Sequence, residues 1–381
     1  MLVFLAHAGL PIPIPGNFGV TVFFFLSGYL ITTLLRLEFD KQQQISFRAF
    51  YLRRTLRILP VFYLVLALAW TLTAAGWLGG PRLSPYAMLA QTFHLTNYYV
   101  VSHGWWEGLA PGTWVYWSLA VEEHFYLAFP LLYLLLRRRL SSARRQAIVL
   151  AALCAVVLLW RCILVFGLGA SRDRTYIATD TRIDSILFGC ILAVYGNPAL
   201  DRGRQAGRRW MAIGLPLGIA GLLVSFAIQN QQFQETFRYT LQGVSLVPLF
   251  VAAIRYPNRS LFRLLNLGWV RFVGLLSYSL YLVHPTVIFG VQQWVHRSRL
   301  LQGLLALALS LLLSIAIYHV VEKPCTRLRK RLSQIGKGPA VAAADLLEES
   351  GHEGTPAGRR ASGATSGEPA ILRRPPAAAL S

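Results

Sequence analysis

The chain has 381 residues, 55% of them hydrophobic and 14% charged, with a mean hydropathy of +0.48. So few charges cannot cover that much apolar surface in water, which excludes ordinary soluble, disordered and collagen-like classes and leaves a polytopic membrane protein. Lys and Arg number 37 against 16 Asp and Glu, a formal charge of +21 that signals nucleic acid only if membrane topology does not explain it.

Apolar windows of about 19 residues fall in chain order near 18–36, 58–78, 113–136, 147–168, 183–196, 211–228, 239–254, 272–293 and 301–321. Residues 1–7 read as the last third of one more helix, so the expected fold is all-α, a bundle of about ten transmembrane helices with a shortened first one. The stretch 86–100 is too polar and short to cross and reads as an interfacial or re-entrant piece. The loops at 36–57, 137–145, 197–210 and 255–271 hold 19 Lys and Arg, while the alternate set holds 7. The positive-inside rule puts the basic set on the cytoplasmic side, together with the C-terminus. The charge is thereby explained by topology, and no nucleic-acid partner is expected. After about residue 332 the composition turns to Ala, Gly, Pro, Ser, Glu and Arg, too poor in apolar residues to offset chain entropy. We therefore divide the chain into a membrane domain, 1–332, and a disordered cytoplasmic tail, 333–381. Cys154, Cys162, Cys190 and Cys325 form no CxxC pair, and no metal site is expected.

Polar side chains at membrane depth cost a few kcal/mol each and so mark function or specific pairing. His7 follows six apolar residues. Glu122, Glu123 and His124 interrupt TWVYWSLAVEEHFYLAFPLL, and successive helical positions about 100° apart cannot all face lipid. Arg161 sits in the apolar segment 147–168 and reads as a counter-ion, with one of the glutamates as an available partner. His284 lies in SYSLYLVHPTVIF, either at a kink before Pro285 or as a functional group. Arg54 and Arg57, one helical turn apart in FYLRRTLRILP, are either topological anchors or a pair suited to a phosphate. Ser27 and Gly28 are small residues in a bulky helix, which permits close helix approach.

The ordered series HAG, GVTVFFFLSGYLIT, FYLRRTLRILP, WSLAVEEHFYLAFPLL, TRIDSILFG, LSYSLYLVHP and VEKP, spanning residues 1 to about 330, resembles the membrane-bound acyltransferase-3 family, the O-antigen and peptidoglycan O-acetylase type. The resemblance implies a bundle of about ten membrane helices. It makes His7 the catalytic histidine, with Glu122 and Glu123 as the acidic positions beside it. Arg54 and Arg57 become the acyl-CoA-binding pair. Ser27, Tyr29, Arg182, Asp184 and His284 become acceptor-binding or supporting residues. The implied activity is transfer of an acyl group, in the first instance acetyl, from cytoplasmic acyl-CoA to a hydroxyl of a cell-envelope carbohydrate or glycolipid. Acyl-CoA is then a co-substrate, no cofactor is bound permanently, and the implied location is the bacterial inner membrane. One mechanistic expectation is that Glu122 orients the His7 imidazole. The family also carries an arginine eleven residues before this histidine, a position upstream of Met1; the expectation is that the upstream reading frame encodes it. No extracytoplasmic SGNH-type domain is expected after the membrane domain. The rival from another class is a transporter or flippase of a lipid-linked sugar, which needs the same helices and buried charge.

Overall fold

The computed structural model describes residues 2–8, 15–80, 82–201, 208–259 and 261–335. Every described element is helical. In order they are α1 (Leu2–His7), α2 (Gly16–Gln42), α3 (Phe47–Ala74), α4 (Pro85–Thr92) and α5 (Thr96–His103). A 3₁₀ turn, Thr113–Tyr116, leads into α6 (Trp117–Arg139), and α7 (Ala143–Cys162) ends in a π turn, Ile163–Gly167. Then come α8 (Arg172–Ile177), α9 (Thr179–Val194), α10 (Arg208–Ala227), α11 (Gln231–Glu235) and α12 (Phe237–Arg255). Short α13 (Phe262–Leu265) and α14 (Gly268–Leu275) precede α15 (Ser277–Trp294), α16 (Arg299–Ile317), a second π turn, Tyr318–Glu322, and α17 (Lys323–Ile335).

A helix lies over each of the nine apolar windows, and the exact count of ten spans is not confirmed. Among the described residues six helices are long and apolar enough to cross, or seven when α14 and α15 are taken as one broken span. Two reasons are visible in the sequence. α9 carries Asp180, Arg182 and Asp184 in 16 residues, and α1 has only six. The window at 272–293 covers two helices, because α14 and α15 meet at a 71° bend within it. Residues 86–100 form α4 and α5, two short helices, in keeping with a segment that does not cross. α17 continues through Ile335, past the expected start of the tail, and the remainder of the tail lies outside the described residues.

Close helix approach holds the centre of the bundle. α2 and α9 meet through glycines on both sides. A Cβ on Gly28 would fall 2.0 Å from the Ile186 carbonyl oxygen, and one on Gly189 would fall 1.9 Å from that of Phe25. Any side chain there would push the helices apart, so the small residue in the SGY step serves packing. Beside it, α7 packs on α9 through a fully buried ion pair. Arg161 donates to both Asp184 carboxylate oxygens, at 3.0 and 2.7 Å, and also to Thr181 O and Thr240 Oγ1. The counter-ion reading of Arg161 is right, but its partner is Asp184 and neither glutamate of α6. At one end of the bundle Arg36 clamps Asp201 with two bonds, at 3.1 and 2.6 Å. Burial opposes the charge on Asp201, and the Arg36 guanidinium outweighs it and holds the carboxyl below its usual range.

Candidate active site

His7 is the last residue of α1, and its Nδ1 lies 3.0 Å from Nε2 of His284 on α15. The two imidazole planes lie 11° apart with centroids 5.3 Å apart, so the rings meet edge to edge in nearly one plane. His284 is fully buried, and its Nδ1 faces the carbonyl oxygens of Leu280 at 3.0 Å and Tyr281 at 2.8 Å. A carbonyl only accepts, so Nδ1 of His284 carries the proton and its Nε2 carries a lone pair. His7 must then donate from Nδ1, which leaves Nε2 of His7 as a free base. Two backbone carbonyls thus set the tautomer of both rings, one helix turn upstream in α15.

Pro285 permits this arrangement. It sits inside α15 immediately after His284, where a missing N–H and ring bulk loosen the i−4 ladder. On the same side, Gly112 at φ +83° presses against α15, where a Cβ would fall 2.3 Å from Thr286 N. Only glycine satisfies both the left-handed backbone and that approach. The indole of Trp114 then meets the edge of His7, with ring centroids 5.2 Å apart.

Below the histidine pair a cavity of about 160 Å³ opens between α1, α2, α14 and α15, lined by Phe4, Gly19, Phe23, Tyr278, Tyr281 and His284, among others. Its polar wall is ordered. Tyr281 shares a 2.6 Å hydroxyl contact with Ser118 and donates to Val115 O at 2.9 Å. Tyr278 donates to Ile58 O of α3 at 2.8 Å, which ties α15 to the residue after Arg57. Six residues of helix separate Tyr278 from His284, about 9 Å along the axis.

Glu122 belongs to a second group. It is buried and accepts from Tyr126 Oη at 3.2 Å, and that hydroxyl lies 2.6 Å from Ser27 Oγ. Arg54 of α3 stands over the Tyr126 ring at 5.8 Å and acts electrostatically on both Glu122 and Glu123. Glu123 keeps its buried Oε1 without a hydrogen bond. The ring that orients His7 is therefore His284, and the expected contact from Glu122 is not formed. Ser118, which touches Tyr281, lies one turn before Glu122 on α6 and forms the nearest link between the groups.

The remaining sequence candidates separate from this centre. Arg57 interacts electrostatically with Glu322 in the second π turn, and Glu322 in turn accepts from Ser279 of α15. Tyr29 donates to Asn197 at 2.9 Å, toward the Arg36–Asp201 clamp. Arg182 is fully buried, donates to Tyr176 O and Thr21 Oγ1, and lies 3.8 Å from the centre of the Tyr239 ring. Asp184 is consumed by Arg161. Sequence reasoning missed Trp114, Tyr126, Tyr281 and Glu322. Tyr126 was readable as the i+4 neighbour of Glu122; the others are joined to the site by contacts far apart in the chain. No group of three or more potential metal ligands occurs among the described residues.

The sequence model described as an acyltransferase domain matches residues 1–319. The chain is 29% identical over 321 residues to O-acetyltransferase OatA of Staphylococcus aureus strain NCTC 8325, covering 81% of this chain and 52% of that protein. The same values hold for O-acetyltransferase OatA of strain COL. The chain thus spans about half the length of these relatives. No solved structure matches it. The chain belongs to the acyltransferase-3 family.

Proposed function

We propose that this acyltransferase-3 protein moves an acetyl group from cytoplasmic acyl-CoA to a hydroxyl of a cell-envelope carbohydrate or related glycoside, with His7 as the general base. The observation that carries the reading is the tautomer order through the histidine pair, which leaves a neutral, unprotonated Nε2 on His7. An imidazole lone pair is what an acceptor hydroxyl needs as it attacks a thioester carbonyl. In the step, the hydroxyl proton passes to His7 Nε2 while the new O–C bond forms. The tetrahedral oxyanion then collapses, the C–S bond breaks, and the departing thiolate takes the proton back from the imidazolium. His284 Nε2, accepting from His7 Nδ1–H, steadies the imidazolium formed midway.

Arg54 and Arg57 supply the donor side. They lie one turn apart on α3, and guanidinium pairs suit coenzyme A phosphates. The cavity is walled by Tyr278, which bonds to Ile58 beside Arg57, and by His284, which holds His7, so its lining joins residues of the donor side to the partner of the base. Its volume favours a short acyl group. The basic loops support a reading in which the arginine end of α3, and the C-terminus with it, faces the cytoplasmic side of an inner membrane.

Full-length protein purified in detergent should consume [14C]acetyl-CoA, and His7→Ala should not. A flippase of lipid-linked sugar would leave the thioester untouched while moving its lipid. Intact acetyl-CoA after incubation with folded wild-type protein would remove the enzymatic reading.

A further inference from the structure

The loop 104–112 is built as a fixed shelf. Gly104, Gly108 and Gly112 all have positive φ, at +92°, +67° and +83°. Gly108 accepts from Ser84 N at 3.0 Å, and a Cβ there would meet the Ser84 side chain at 2.4 Å. Tyr99 Oη donates to Glu107 O at 3.2 Å, and Thr286 Oγ1, two residues after His284, donates to Pro111 O at 3.0 Å. The loop is therefore pinned at three points, one of them on the helix that carries His284.

What it holds up is an indole. Trp106 is 61% exposed and meets the Trp114 ring at 5.6 Å and 82°; Trp114 meets His7 at 5.2 Å and 66°. Three rings thus run in series from the surface to the base. Glu107 stands exposed next to Trp106. Tryptophan also collects at membrane interfaces as a plain anchor, and this molecule contains that case for comparison. Trp77 and Trp294 are 66% exposed each, and Trp294 Nε1 donates to Trp77 O at 2.8 Å; neither ring touches the histidine pair. Among these exposed indoles of the described residues, the Trp106 ring is the one joined through Trp114 to the His7 ring. An exposed indole face beside a carboxylate matches a pyranose ring, which has an apolar face of C–H bonds and a rim of hydroxyl donors.

We propose that Trp106 and Glu107 form the acceptor platform of this protein, on which a pyranose ring stacks against the Trp106 face while Glu107 accepts a ring hydroxyl and Trp114 directs the reacting hydroxyl to His7. This rests on the reading of His7 as the base, and it adds which residues select the acceptor. The test uses detergent-purified full-length protein and [14C]acetyl-CoA with three probes: methyl β-D-glucopyranoside, N,N′-diacetylchitobiose and sorbitol, which has hydroxyls but no ring face. Label is expected to reach the pyranosides and not sorbitol. Trp106→Ala should raise the half-saturating pyranoside concentration about 30-fold, the scale on which an aromatic anchor is lost. Trp106→Phe should stay within about threefold, because a ring face remains. The KM for acetyl-CoA should not move in either, and Trp77→Ala should behave as wild type. The platform is overturned if Trp106→Ala leaves the pyranoside dependence unchanged, if Trp77→Ala shifts it equally, if sorbitol is acylated as well as the sugars, or if a protein that consumes the thioester labels no pyranoside. Failure of the wild-type protein to consume acetyl-CoA would instead overturn the reading on which the platform rests, and the platform with it.

Discussion

Arg161 with Asp184 and His7 with His284 are both polar pairs inside an apolar bundle, yet they are finished in opposite ways. The ion pair is closed. Both terminal guanidinium nitrogens and both carboxylate oxygens are matched, both side chains are fully buried, and of the polar atoms of the pair Nε of Arg161 makes no hydrogen bond. The histidine pair is open. Its hydrogen bonds run in one direction, from His7 to His284 to two carbonyls, and leave one nitrogen of His7 over, while His284 lies on the wall of a cavity. Closing a buried polar group on itself fixes helices, whereas leaving one lone pair over provides chemistry.

The largest expected effect tests the open pair. His7→Ala should reduce turnover by about 10²–10⁴-fold, the usual contribution of a positioned base, with an unchanged melting temperature. An activity loss that came only with unfolding would make the pair as structural as the closed one. Arg161→Ala should do the reverse and destabilise the protein by about 3–5 kcal/mol, because Asp184 would be left charged and alone in the interior. Replacing both partners together, Arg161→Met with Asp184→Leu, should recover most of that in thermal unfolding. If the double replacement is as unstable as the single one, the pair does more than balance charge.

Between these extremes stand the arginines of α3. Arg54→Ala with Arg57→Ala should raise the KM for acetyl-CoA tens- to hundreds-fold, at about 1.5–3 kcal/mol for each charge-assisted bond lost. An unchanged KM in a folded double variant would make them topological anchors. The smallest effect belongs to the Arg36–Asp201 clamp, a closed pair at the surface. Asp201 has a depressed pKa, so its stabilisation is complete above the unfolded value of about 3.9 and is lost as pH falls through the lower folded one. Asp201→Asn should therefore cost about 1 kcal/mol at pH 5 to 7 in thermal unfolding. The difference from wild type should shrink as pH falls below the unfolded value and vanish only once it passes below the lowered folded one.

The contrast also explains what a single sequence could and could not disclose. Long apolar windows identified the helices because lipid demands unbroken apolar runs, and those runs are local. The 71° bend before Ser277 left no mark, since VRFVGLLSYSL is apolar on both sides of it. His7 and His284 each stood out as misplaced polar residues, but their contact joins positions 277 residues apart, which neither spacing nor composition encodes. For the same reason Arg161 was recognisable as a counter-ion while its partner was not. Glu122 looked like the orienting group because carboxylates commonly hold a histidine; in the fold Tyr126, one turn away, takes it instead. The Trp106–Trp114 series was present in GWWEGLAPGTW but became legible only when Gly112 was seen against Thr286.

The central claim, that His284 sets His7 as a base through an accepted hydrogen bond, is tested most directly by turnover of [14C]acetyl-CoA in His284→Ala and His284→Gln. A glutamine carbonyl oxygen can still accept from His7 Nδ1–H, and alanine cannot. The expected result is a loss of about 10²-fold or more for alanine and recovery of a substantial part of the rate for glutamine, with both proteins folded. Equal turnover in the two variants, or alanine as active as wild type, would contradict it.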